Sequence, residues 1–295
     1  MADSKSVQDI ELLQGFVSDR INASSDASLE SGIDAEVSAT ASSSDGDSIA
    51  KSLLQTAEGI NSANLDIDGN ATVGVQNLLQ VIADATGVSG DADSETSIGR
   101  TTGLKADNIS VEGSGSVLGN VSTQIQSESD TTDGDASSST NLAESIGVDV
   151  ADIDAQGELD LSSASNTTLN AKAEVTNSTA DTETVEGAKA SNTFTTARGT
   201  RLTNIDAGDD TNISASVGIS TNAEANAATG YTEAINNASN IAALELTSSE
   251  QTETARVQRF DADGIISAES ALSSTAEAST TSGTASAVDN FGVVD

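Results

Sequence analysis

The chain has 295 residues, 36% hydrophobic and 20% charged, with a net charge of −36, four Phe, one Tyr and no Trp, Pro, Cys or His. So few large side chains cannot fill a thick globular core; without Cys or His there is no disulfide frame, no thiolate nucleophile and neither the usual general base nor the commonest transition-metal ligand. The absence of Lys and Arg between Ala106 and Ala171 argues against a nucleic-acid partner, because phosphate neutralisation needs basic residues.

In chain order, residues 6–20 carry the pattern of a short amphipathic helix. Ser6 stands at the capping position with Asp9 three residues on, and Val7, Ile10, Leu13 and Val17 form one stripe, widened by Leu12 and Phe16. That stripe suits either a lid over the first coil of a repeat stack or a docking face for another subunit. The segment has no apolar signal core, so no Sec-type export is expected, and no run approaches the roughly 18 apolar residues of a membrane span.

From residue 21 onward a unit of 44 residues recurs. Leu65, Ile109 and Ile153 are separated by 44 residues, as are Gly69, Gly113 and Gly157, and Gly59, Gly103 and Gly147. Three columns in one register mark a true repeat. Units are expected at 21–64, 65–108, 109–152, 153–204 and 205–248, the fourth carrying eight extra residues between Val175 and Gly199. Within the clearest unit, odd positions from Ile109 to Ser129 are apolar or small and even ones mostly polar. After Asp133-Gly134-Asp135 the parity reverses, making Ala136, Ser138, Thr140, Leu142, Ile146, Val148 and Val150 the inward set. Strict alternation is the mark of strands with one buried face. Residues 48–57 and 233–246 fit a helical turn as well as a strand. Residues 249–295 read as a cap or tail ending in an apolar hook of Phe291, Val293 and Val294.

An unbroken strand of 21 residues would be about 70 Å long, so the glycines at 69, 113 and 157 are expected to bend the chain, leaving roughly three strands per unit. Pairing of equivalent strands predicts an all-β fold, an elongated β-solenoid of about five repeats behind a short N-terminal helix. A meander of long antiparallel hairpins is the alternative. An outer-membrane barrel is disfavoured, since Ala and Gly cannot supply its lipid face.

Asp47, Asp91 and Asp135 fall 44 residues apart beside turn glycines, and Asp45 and Asp133 add a second column. Stacked about 4.8 Å apart, each like-charged pair costs on the order of 0.9 kcal/mol in water. Ca²⁺ would relieve that, although the glycine-rich nonapeptide of calcium-binding β-rolls is absent. Aromatic platforms and a Lys-bearing phosphate loop are also missing, so no enzyme is expected.

Runs such as Gly103-Leu104-Lys105-Ala106-Asp107-Asn108-Ile109-Ser110-Val111-Glu112-Gly113, an alternating strand, then Asp133-Gly134-Asp135-Ala136, resemble the acidic Ala/Ser/Thr/Gly-rich repeat structural proteins of marine cyanobacteria and their tailed phages. The resemblance spans about residues 21–248 and implies a structural protein of a virion or cell surface, with no functional residues to carry over. The expected function is therefore a non-enzymatic subunit of a fibrous or surface assembly, at a virion or extracellular surface. It would associate with its own kind or with a virion or cell-surface scaffold through Val7, Ile10, Leu13, Phe16, Val17 and the terminal hook. It would engage neither nucleic acid nor the membrane interior. The competing expectation is a secreted, calcium-dependent adhesin or surface-layer-like protein.

Overall fold

The computed structural model describes residues 3–176, 187–246 and 260–293, with side chains from 264 onward in the last stretch. Every described element is a strand. One wall is built from β1 (Ser4–Ala23), β3 (Ser48–Ile67), β5 (Ala92–Val111) and β7 (Ala136–Ala155). The facing wall holds β2 (Ala27–Ser43), β4 (Ala71–Ser89), β6 (Gly115–Asp133) and β8 (Leu159–Val175). β9 (Gly187–Ala238) pairs with β7 and then β8, and β10 (Ile241–Leu246) and β11 (Phe260–Phe291) add onto β9. All pairings are parallel, which excludes the antiparallel meander. The architecture is a solenoid-like parallel β stack.

The 44-residue spacing is the strand register itself: Ser48 pairs with Ala92 and Ala92 with Ala136. One inward column runs Leu29, Val73, Val117, Leu161, Ile213, Ile266 through successive coils. The expected facing holds. Val117, Val121, Ile125, Leu161 and Leu169 are buried, Glu112, Gln124 and Glu158 are exposed, and Lys172 is half-buried. The glycines at 69, 113 and 157 lie in the turns between β3 and β4, β5 and β6, and β7 and β8. Each coil therefore has two long strands rather than three.

Residues 6–20 are not a helix but most of β1, the first rung of the same ladder. Ile10 heads the column of Leu54, Ile98 and Leu142, and Phe16 that of Ile60, Leu104 and Val148. The helical spacing has a physical origin in this wall. Its pairing skips Gln55, Gly59 and Ala63, and the same columns are skipped in the next coil. Those irregularities move the inward set from one parity to the other, so that 57–60, 101–104 and 145–148 are four buried residues in a row. Inward positions such as Leu54, Ala57 and Ile60 then fall three apart, as they would on a helix. The segments 48–57 and 233–246 are resolved as strand for the same reason, apart from a break at Ser239 and Asn240.

The walls are not equally far apart along the coil. On the side of the first turn they enclose a lobe of Leu65, Ile109, Val111, Val117, Ile153 and Leu161. They then close to a waist, where a Cβ on Gly119 would lie 2.4 Å from Val148 Cγ2 and 2.5 Å from the Gly147 carbonyl oxygen. A second lobe holds Leu54, Ile98, Ile125, Leu142 and Leu169. Toward the second turn the buried side chains are mostly Ala, Ser and Thr: Ala39, Ala83, Ala85 and Ala92 pack together, and hydroxyls bridge the walls. Ser48 Oγ donates to the Thr86 carbonyl at 2.7 Å, Thr96 Oγ1 to that of Gln126 at 2.8 Å, and Ser94 Oγ lies 2.7 Å from Ser127 Oγ. A thin interior shared along a stack explains how a chain so poor in aromatics can be ordered.

The eight extra residues of the fourth unit can be placed by register. Thr131 pairs with Val175 at a spacing of 44, but Ala136 pairs with Ala188 at 52. The insertion therefore falls at the second turn, and its conformation lies outside the described residues. Deleting eight residues from 177–186 should restore the common spacing and leave the melting temperature within about 3 °C, because insertions at solenoid turns leave the stack intact. A fall of more than about 10 °C in a circular dichroism melt would place the segment in the core instead.

Candidate functional surfaces: turn ladders, ion pairs and open edges

The acidic column at the second turn is a backbone-capping relay. Asp47 Oδ1 accepts the N–H of Asp91 at 3.1 Å, Asp91 Oδ1 that of Asp135 at 3.0 Å, and Asp135 Oδ1 that of Gly187 at 2.7 Å. A carboxylate of one coil thus meets a turn N–H of the next, where regular strand pairing lapses. The first turn repeats the device, with Asp26 Oδ1 accepting from Asn70 N at 2.8 Å and Asn70 Oδ1 from Ser114 N at 3.0 Å. The sequence reading missed this second relay, whose signal was the spacing of 44 between Asp26 and Asn70. Asp45 and Asp133 are not neighbours, since Ser89 occupies the rung between them. One Asp133 carboxylate oxygen is buried without a hydrogen-bond partner. Among the described residues, no three His, Cys, Asp or Glu are grouped to hold a metal ion.

The scarce cations sit in rungs adjacent to acids. Lys51 Nζ lies 2.6 Å from Glu95, Lys172 Nζ 2.9 Å from Glu128 and Lys189 Nζ 3.0 Å from Glu233. Each pair is 44 residues apart and therefore stacked. Arg100 and Arg201 share Glu144 and Asp149, with Arg201 Nη2 2.5 Å from Asp149. Hydrogen bonding to Asp149 holds the Arg201 guanidinium above its ordinary range, and the Glu128 contact does the same for Lys172. Partly exposed pairs of this kind contribute about 0–1 kcal/mol each. They offset part of the repulsion among the surrounding acids.

Two carboxyls are also raised, which for an acid disfavours the charged form. Burial raises Asp84 and Asp130 above the usual carboxylate range, with Glu128 adding to both. Their native forms bind protons more readily than the unfolded chain, so they penalise folding above their native pKa and cease to as pH falls through it. Glu233, lowered by Lys189, has the opposite sign and loses its contribution only below the ordinary carboxylate value. Thermal stability should thus rise slightly as pH is lowered from 7 toward the ordinary carboxylate range. The rise should shrink in Asp130→Asn; an equal rise in that variant would exclude Asp130 as a source.

The remaining candidates lie at the two ends of the stack. β1 and β2 have no strand on their outer edges among the described residues, and Val7, Leu12, Phe16 and Val17 are 45%, 49%, 36% and 54% exposed. Ile10 and Leu13 are half-buried against the second lobe. At the other end Phe291 pairs with Ala238, yet it and Val293 remain 49% and 57% exposed. Val294 lies outside the described residues. The two groups expected to act in assembly are therefore at opposite ends and do not meet.

The geometry defines a class, a parallel β stack with capped turns, paired cations and open ends. No protein-family model matches the chain, nor does any curated protein or solved structure. No helix among the described residues is long and apolar enough to cross a membrane.

Proposed function

We propose that the chain is a non-catalytic structural subunit, an elongated β-solenoid that builds a virion fibre or appendage, or an extracellular filament, by self-association. The observation that carries this reading is the continuity of the columns. Those that stop at Ile266, Leu272 and Ala276 on β11 start at Leu29, Ala35 and Ala39 on β2. A second copy set on that end would extend each column with a residue of the same kind, and parallel pairing would satisfy both edges. The net charge of −36 opposes approach at low salt, and screening weakens that as the Debye length falls from about 30 Å at 0.01 M to about 8 Å near physiological strength. Light scattering and negative-stain imaging of the purified protein should show particles that lengthen with salt, less so when residues 1–20 are removed. A monomer at every salt concentration would overturn the proposal.

A calcium-dependent adhesin is the second reading, supported by the Asp47–Asp91–Asp135 column and the unpartnered Asp133 oxygen. It requires calcium to raise the melting temperature and a chelator to reverse the effect, with magnesium inert.

A further inference from the structure

Charge is distributed unevenly between the two walls. The outward face of the first carries Lys51, Glu95, Arg100, Lys105, Glu144 and Asp149. On the second wall, segments 74–82 of β4, 118–126 of β6, 162–170 of β8 and 214–222 of β9 contain no Asp, Glu, Lys or Arg at all. These segments are in register: one outward column reads Leu78, Ser122, Asn166, Gly218. Charge returns at their margin with the column Asp84, Glu128, Lys172, Glu224. Charge depletion is what distinguishes the core of a protein interface from ordinary surface.

The patch is also graded in size. Its large outward side chains, including Leu78 at 42% and Leu118 at 39% exposure, lie on β4 and β6. Across β8 and β9 the outward residues are mostly small, such as Ser162, Ala164, Ser214 and Gly218. Gly218 is not required by the fold: a Cβ there would meet only the tip and amide carbon of the Asn166 side chain, at 2.7 and 3.8 Å. The waist glycine Gly119 instead faces the opposite backbone.

We propose that this neutral strip is a lateral interface with the same strip of a second copy, related by a two-fold axis running along the strands between β6 and β8. The proposal rests on the self-association reading and adds the face used. That axis lays β4 over β9 and β6 over β8, so that Leu78 falls opposite Gly218, where only the movable Asn166 side chain intervenes, and Leu118 faces Ser162. It also lays β2 over β11, where Glu30 meets Ser267 and Asp34 meets Ala271, while at the charged margin Glu128 meets Lys172 and Asp84 meets Glu224, so that repulsion confines the contact to the neutral strip. Isologous contacts require such self-complementarity. At about 3.3 Å per residue and 4.8 Å per strand, the four charge-free segments measure about 30 by 19 Å. Two such faces bury about 1,100 Å², just under the lower bound of a specific interface, and β2 with β11 bring this to about 1,700 Å², within the standard range.

The test is Gly218→Leu, which sets a second bulky side chain against Leu78, alone and combined with Leu78→Gly, which removes the first. Analytical ultracentrifugation near physiological salt should show Gly218→Leu associating about tenfold more weakly than wild type, and the double variant recovering to within about threefold. Negative-stain images of Gly218→Leu should show single-width filaments where wild type shows paired ones. Should Gly218→Leu lose its β circular dichroism signal, Gln124→Lys, a charge placed on an exposed position of β6, takes its place with the same expected weakening. Undiminished lateral association in the folded single variant, or no recovery in the double, overturns the interface while end-on assembly stands. A wild-type protein that stays monomeric at every salt concentration overturns the assembly reading itself.

Discussion

Gly119→Val should destabilise the protein by about 3 kcal/mol, the upper end of what overpacking costs, because the contact is rigid. A Cβ at this position would stand 2.4 Å from Val148 Cγ2, 2.5 Å from the Gly147 oxygen and 3.0 Å from the Gly147 carbonyl carbon. Two of those atoms belong to the backbone of the opposite wall, so no rotamer change can make room. The walls would have to separate, and that would open the packed lobes on either side. Gly218→Ala is the matched control, since its Cβ would meet only the Asn166 side chain; a surface change of that kind costs within about 0.5 kcal/mol. Urea unfolding followed by circular dichroism would measure both. Because stacked repeats can unravel from an end, a broadened transition is the expected form of the damage. A Gly119→Val protein within about 1 kcal/mol of wild type would show that the waist is looser than the contact distances require.

Asn192→Ala should cost about 3–5 kcal/mol, through two orphaned polar groups and a small cavity. Asn192 is fully buried; its Oδ1 accepts from Thr140 Oγ1 at 2.5 Å and its Nδ2 donates to Asn236 Oδ1 at 2.8 Å. Its column holds Ser52, Thr96 and Thr140 in earlier coils, so the lobe has kept a hydrogen-bonding side chain at each rung. Asn192→Thr should accordingly be much milder. Asn192→Asp keeps the shape but replaces the donor with an acceptor facing Asn236 Oδ1. Burial raises such a carboxyl, so its penalty is fully present above the native pKa and diminishes as pH falls through it. Denaturation midpoints at pH 7 and pH 5 should therefore converge on wild type for Asn192→Asp and stay apart for Asn192→Ala. Parallel behaviour of the two variants would mean that the Asn192 amide does not donate in this ladder.

How much of this was readable beforehand differs from element to element. Along β6 and β8 the strand is regular, the side-chain period is two, and inward residues such as Val117, Val121, Ile125 and Leu169 could be named from parity alone. Along β1 and β3 the same rule misleads, because three breaks in the pairing change parity within one strand and imitate the spacing of a helix. Only the neighbouring coil, aligned residue by residue, distinguishes Phe16 as a rung above Ile60 from Phe16 as part of a helical stripe. The candidate surfaces divide in the same way. The column of Asp47, Asp91 and Asp135 was visible as a spacing, and as a spacing it suggested a cation.

The sequence by itself determined the period, the inward parity of the regular strands and the thinness of the core, since these follow from local alternation and side-chain volume. The tertiary structure alone decided that the coils pair in parallel, that the acids of one coil cap turn N–H groups of the next, and that the walls close at Gly119. It also decided that uncharged segments 44 to 52 residues apart lie side by side on one outward face. Each of these depends on groups from different coils or opposite walls meeting at contact distance, and a one-dimensional pattern carries no distance between them.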